Sequence, residues 1–139
     1  MCTSFNSTSH THHDIAESRK LHLNLFLDGY GHHLASWRHP ASQLDLNPYT
    51  RYLQAAKIAE KGKFDAIFFA DSLAFDPKIA QSGKLRGSEI EPITLLTAIA
   101  TQTRHIGLIA TATTTYNEPY HLARKFASLD QISGGRAGW

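Results

Sequence analysis

The sequence predicts an α/β fold on a parallel sheet, and three observations predict it. Short apolar segments of strand character recur, an amphipathic helical segment follows each one, and Gly or Pro punctuates the joins. Strand, helix, strand, helix, strand, helix is the order of repeated β/α crossovers, which specify parallel strands in a sheet that is either open or curled into a barrel.

The first strand is read from alternation. Leu21, Leu23, Leu25 and Leu27 interleave with His22, Asn24, Phe26 and Asp28, the period of two that puts one set on each face, and Gly29 and Gly31 end it. Residues 30–47 form a long polar and aromatic loop. Asn47 is placed to cap a helix whose first position is Pro48, with Tyr49, Tyr52, Leu53, Ala56 and Ala59 or Glu60 along one face and Gly62 as its stop. Residues 64–70 are a compact apolar run, as expected of a strand buried on both faces. A second long loop leads to a helix marked by Pro92, Leu95, Leu96, Ile99, Ala100 and Thr103, its start favoured by Glu89 and Glu91. Residues 106–113 read as the third strand. Asn117 and Pro119 open a third helix, with Leu122, Phe126, Leu129 and Ile132 or Ser133 on one face and Gly134-Gly135 as its close. The last four residues look like the lead-in to a fourth strand.

Composition narrows the function. The chain has 139 residues, 42% hydrophobic and 19% charged, which is the balance of a globular domain. A formal charge of +2 with scattered Lys and Arg gives no surface for nucleic acid. The one cysteine, Cys2, can build neither a disulfide framework nor a thiolate metal cluster within the chain. Residues 1–20 are a polar leader with no signal-peptide centre and no membrane span, expected to be disordered. His10, His12 and His13 are read there as solvated tail residues and not as metal ligands. A cytoplasmic protein with one domain over residues 21–139 is expected.

No nucleotide motif is intact. Gly29-Tyr30-Gly31 has Leu34 where a dinucleotide turn needs its third glycine, and Lys78 stands where a phosphate loop ending at Gly83-Lys84 needs its first. Position therefore sorts the polar residues: in a β/α barrel the groups just past the carboxyl ends of the strands surround the active site. Asp28, Asp71 with Ser72, and the threonines at 113–115 sit there, under a loop with His32, His33, Trp37, Arg38 and His39. His105 falls on the opposite rim.

The segments LHLNLFLDGYGHHLASWRHP, AEKGKFDAIFFADSL, EPITLLTAIATQT and YNEPYHLARKFASLDQISGGRAGW resemble the luciferase-like flavin monooxygenases, in the branch of the nitrilotriacetate and dibenzothiophene-sulfone monooxygenases. The resemblance runs from about Lys20 to the last residue. It implies a (β/α)8 TIM barrel, of which this chain supplies the N-terminal part, about three β/α units. It also implies an enzyme that takes reduced FMN from a separate NAD(P)H:flavin reductase, uses O2 as co-substrate, and oxidises a small xenobiotic, chelator or organosulfur substrate through a flavin peroxide. A homo-oligomer is expected at full length, and neither nucleic acid nor membrane is an expected partner.

The resemblance further implies that Asp71 helps bind FMN and that a hydroxyl of Thr111 or Thr113 meets the flavin. His33, Trp37 and Phe69 match positions near the substrate, whereas Phe68, of opposite parity, is expected to face the helices. No catalytic residue and no metal ligand is assigned. A complete barrel needs on the order of 250 residues, so the chain reads as an N-terminal fragment, inactive alone, whose third strand has an unpaired edge. Two alternatives stand beside this reading: a non-catalytic half-barrel that acts only by association, and a luciferase-like oxidoreductase that uses a deazaflavin.

Overall fold

A computed structural model describes residues 20–29, 31–33, 35–40, 42, 48–73 and 90–139. The polar leader, Asn47, Glu89 and most of both long loops lie outside the described residues.

Four parallel strands form one sheet in the order β1-β2-β3-β4: β1 (Asn24–Leu27), β2 (Ala66–Phe69), β3 (Gly107–Ala110) and β4 (Ala137–Gly138). Helices α1 (Pro48–Lys61), α2 (Pro92–Ala100) and α3 (Pro119–Ser133) make the crossovers. The final tetrapeptide is thus more than a lead-in. Leu108 and Ile109 pair with Ala137 and Gly138, so the third strand has a partner on the edge that sequence reasoning left bare.

All three helices cover the same face of the sheet. Leu25 and Leu27 of β1, Ile67 and Phe69 of β2, Leu108 and Ala110 of β3, and Ala137 of β4 belong to one apolar cluster with Tyr52, Ala56 and Ala59 of α1, Leu95, Leu96 and Ile99 of α2, and Leu122 and Leu129 of α3. Ile67, Leu96, Ile99, Leu108 and Leu129 are fully buried, and each such side chain contributes about 1.5–3 kcal/mol by leaving water. Sequential strand order with helices on a single face is the winding of a barrel sector; a doubly wound open sheet would reverse direction and use both faces. Phe26, Phe68 and Ile109 occupy the other face, in register. At Gly138 a Cβ would stand 3.0 Å from the Ile109 side chain, a close approach that a larger residue would have to relieve by moving Ile109.

The helix ends follow local chemistry with one exception. Glu91 caps α2, its carboxylate accepting from the backbone N–H groups of Ile93 at 2.9 Å and Thr94 at 2.7 Å. Gly134 and Gly135 close α3 with φ of 73° and 86°. At the end of α1 the left-handed residue is Lys63, with φ of 63°, and not Gly62. The N–H of Phe64 reaches the Ala59 carbonyl and that of Lys63 the Glu60 carbonyl, both at 3.1 Å. This paired closure puts the left-handed position one residue beyond the glycine. In α3 the choice between Ile132 and Ser133 falls to Ser133, which is buried while Ile132 is exposed. Among the described residues no helix is long and apolar enough to cross a membrane.

Candidate functional site

The strands all point their carboxyl ends the same way, so the segments leaving β1, β2 and β3 meet on one rim. A cavity of about 770 Å³ opens there, lined among the described residues by Asp71, Ser72, Leu73, Thr111, Thr113 and Tyr116. Asp71 follows β2 by two residues. Thr111 extends β3, its N–H still bonded to the Phe69 carbonyl at 3.0 Å. The three residues assigned to the cofactor from sequence therefore share one cavity.

The donor set suits a flat heteroaromatic ring with a polar edge. One carboxylate, three aliphatic hydroxyls and a phenol line the space, next to Leu73, and the volume lies within the usual range for a small-molecule site. No described residue donates a hydrogen bond to the Asp71 carboxylate. It can accept one from a ring N–H without losing a partner it already has. A second hollow of about 480 Å³ carries Tyr116, His121, Arg124 and Lys125 on the outer flank of α3; no described strand residue reaches it.

The open face of the sheet continues the site as an aromatic shelf. The Phe26 ring lies 5.1 Å from Phe68 and 4.6 Å from His32, centroid to centroid, and His32 Nδ1 stands 3.6 Å from the Asp28 carboxylate. Phe26 remains 41% exposed although it packs on two rings, so this surface is available for contact. Sequence reasoning placed none of Phe26, Phe68 or Tyr116 at the site, and it turned Phe68 toward the helices. The signal for Phe26 was its parity against the leucines, and for Phe68 it was the register.

Phe69 is a correction. It is 5% exposed and meets Tyr52 of α1 edge-on at 5.1 Å, so it faces the helices, and Phe68 takes the open face. An apolar run buried on both faces has no parity signal of its own. Pairing Leu27 with Phe69 and Phe26 with Phe68 decides the matter.

His33 lies on the exposed loop after β1, its Nδ1 accepting from the Ala35 N–H at 3.1 Å, which leaves Nε2 to carry the proton. Trp37 lies in a 3-10 turn at Ser36–Arg38; its side chain is outside the description. His33 is not among the described residues that line the Asp71 cavity.

On the opposite rim, Glu60 and Arg136 are bonded to the backbone of several elements. Glu60 Oε1 accepts from the backbone N–H groups of Arg104, His105 and Ile106 at 2.8, 2.6 and 3.1 Å. Partial burial works to raise its pKa, but those donors outweigh it and hold the carboxyl below its ordinary value. Arg136 spends all its N–H groups on acceptors: the carbonyls of Ser133, Ile106, Ala100 and Thr103 and the Thr103 hydroxyl, at 2.7–3.1 Å. Desolvation lowers its pKa, only partly offset by Glu60, and guanidinium stays charged regardless.

Comparison with known proteins agrees with this geometry. Residues 31–139 match the luciferase-like monooxygenase family. The N-acetyl-S-(2-succino)cysteine monooxygenase of Bacillus subtilis (strain 168) is 50% identical over 125 residues, 89% of this chain and 28% of that protein. Nitrilotriacetate monooxygenase component A of Aminobacter aminovorans is 42% identical, over 88% of this chain and 29% of its own length. The EDTA monooxygenase of Chelativorans sp. BNC1 superposes with a TM-score of 0.73 at 35% identity, covering 87% of this chain and 28% of that one. The chain thus spans under a third of the length of these relatives. A parallel sheet wound in sequence, a polar cavity at the carboxyl ends of its strands and these matches lead to one conclusion: the chain belongs to the luciferase-like monooxygenase family.

Proposed function

We propose that this chain contributes the first strands of a barrel that binds reduced FMN, uses O2, and oxygenates a small organic substrate, with Asp71, Thr111 and Thr113 contacting the flavin. The convergence of these three residues on one cavity at the carboxyl ends of β2 and β3 carries the reading. Bound reduced FMN supplies the electrons that activate O2. The chain's own residues would hold and orient it: the Asp71 carboxylate would accept from a ring N–H, and the threonine hydroxyls would hydrogen-bond ring heteroatoms. Phe26, Phe68 and His32 form the apolar wall with one polar handle against which the substrate lies, and His33 and Trp37 contribute from the loop above. The relatives named above suggest a carboxylate-bearing substrate, a thioether or a chelator. A separate NAD(P)H:flavin reductase in the cytoplasm delivers the flavin, and the full-length protein assembles as a homo-oligomer.

Anaerobic titration with reduced FMN tests the reading in the full-length protein. Asp71→Ala is expected to weaken binding about ten-fold or more, the loss of one charged hydrogen bond, with an unchanged unfolding transition. Parent-like affinity in this variant removes Asp71 from the site. Tight binding of a deazaflavin in place of FMN would change the cofactor and keep the cavity.

A further inference from the structure

The β3 ladder ends early, and side chains take over from it. Beyond the Thr111 N–H, no bond to another strand's backbone holds residues 112–117 among the described residues. Three other bonds do. The Trp139 indole N–H donates to the Ala112 carbonyl at 3.0 Å, the Asn117 side-chain amide donates to the Thr113 carbonyl at 3.0 Å, and the Thr115 N–H donates to Thr113 Oγ1 at 3.2 Å.

Asn117 stands where an asparagine would ordinarily serve the helix that follows. Glu118 occupies the cap position of α3 and makes no side-chain cap bond, yet the Asn117 amide turns back to Thr113 and leaves the helix start unassisted. Its use is the turn. The bond from Thr115 has a chemical consequence, because a hydroxyl accepts through its lone pairs and has one hydrogen to give. With the Thr115 N–H on the accepting side, the hydrogen is left to point elsewhere, and Thr113 lines the Asp71 cavity.

We propose that Asn117 is a positioning residue: by fixing the Thr113 carbonyl it holds the Thr113 hydroxyl as a donor toward the cavity, opposite in polarity to the Asp71 carboxylate. The Asp71 carboxylate then offers an acceptor and the Thr113 hydroxyl a donor, a pair that suits a ligand edge with an N–H and an accepting atom. This inference rests on the flavin reading above and adds the residue that sets the polarity of the site.

The test is a double-variant cycle in the full-length protein, read by anaerobic titration with reduced FMN. Thr113→Val is expected to weaken binding about ten-fold and Asn117→Asp, which keeps the shape but loses the amide donor, about five-fold. Because Asn117 acts through Thr113, the double variant should bind no more weakly than Thr113→Val alone. A purely structural role would instead multiply the two losses. Asn117→Ala adds no charge, carries the same expectation, and serves if the aspartate variant fails to fold. Parent-like affinity in a folded Asn117 variant, or losses that multiply, overturns the proposal. If Asp71→Ala and Thr113→Val also leave affinity unchanged, the flavin reading fails; if they weaken binding and Asn117 variants do not, only the positioning role fails.

Discussion

The two rims of the sheet use the same kinds of residue for opposite ends. At the amino ends, Glu60 collects three backbone N–H groups, Asp65 accepts from the Leu23 N–H at 2.7 Å, and Arg136 satisfies four carbonyls and a hydroxyl. At the carboxyl ends, Asp71, Ser72 and Thr111 line a cavity with no hydrogen bond to their side chains from any described residue. Buried or half-buried polar groups cost stability unless partnered. The carboxyl rim keeps Asp71, Ser72 and Thr111 without a side-chain partner among the described residues, whereas at the amino rim Glu60 and Arg136 tie separate elements together. Substitutions can break or sharpen this difference.

The largest effect is expected at β2, where neighbouring phenylalanines face opposite ways. Phe69→Ala should cost about 3–5 kcal/mol, the range for deleting a buried aromatic, while Phe68→Ala should cost about 1–2 kcal/mol because its face is open. Urea unfolding of the two variants checks this; equal losses would mean that the open face is covered as well as the helix face.

Arg136→Met comes next. Removing the guanidinium strands the carbonyls of Ala100, Thr103 and Ile106 at the junction of α2, β3 and β4, at a cost of about 2–4 kcal/mol. Arg136→Lys should recover little, since one ammonium cannot span the same acceptors. Reduced-FMN affinity per folded molecule should stay at the parent level, which would fail if this rim took part in binding.

Glu60 gives a pH signature. Its folded pKa is below the ordinary carboxylate value, so its stabilisation is fully present above about pH 4.3 and is lost as pH falls through the folded pKa. Glu60→Gln should cost about 1 kcal/mol at neutral pH, after allowing for solvent exposure, and should flatten the acid limb of the stability curve. An unaltered acid limb would remove Glu60 from the account.

The smallest effect is a gain. Lys63 sits at φ of 63°, and Lys63→Gly should stabilise by about 0.5–1 kcal/mol by removing the Cβ from a left-handed position. Thermal unfolding would register it as a rise of a few degrees; a fall would mean that the Lys63 side chain contributes more than its backbone strain costs.

Periodicity in the chain was enough to establish the order of three strands and three helices, because alternation at 21–28, three-and-four spacing at 48–60, 92–103 and 119–133, and the Gly134-Gly135 stop are all local patterns. The position rule and the family resemblance together pointed to Asp71, Thr111 and Thr113, since strand ends can be located once strands are. What escaped was set between segments. The facing of Phe68 and Phe69 depends on register against β1, and the shelf of Phe26, Phe68 and His32 depends on two strands lying side by side. The pairing of β4 places Ala137 and Gly138 against Leu108 and Ile109, and the left-handed Lys63 goes with the bonds that return Lys63 and Phe64 to the end of α1. A sequence by itself determines which residues alternate and which recur every third or fourth place, because those preferences belong to short stretches of backbone. Which face each set meets, and which polar groups are left open there, is decided only when distant segments pack, since hydrogen-bond satisfaction and burial are properties of neighbours and not of neighbours in the chain.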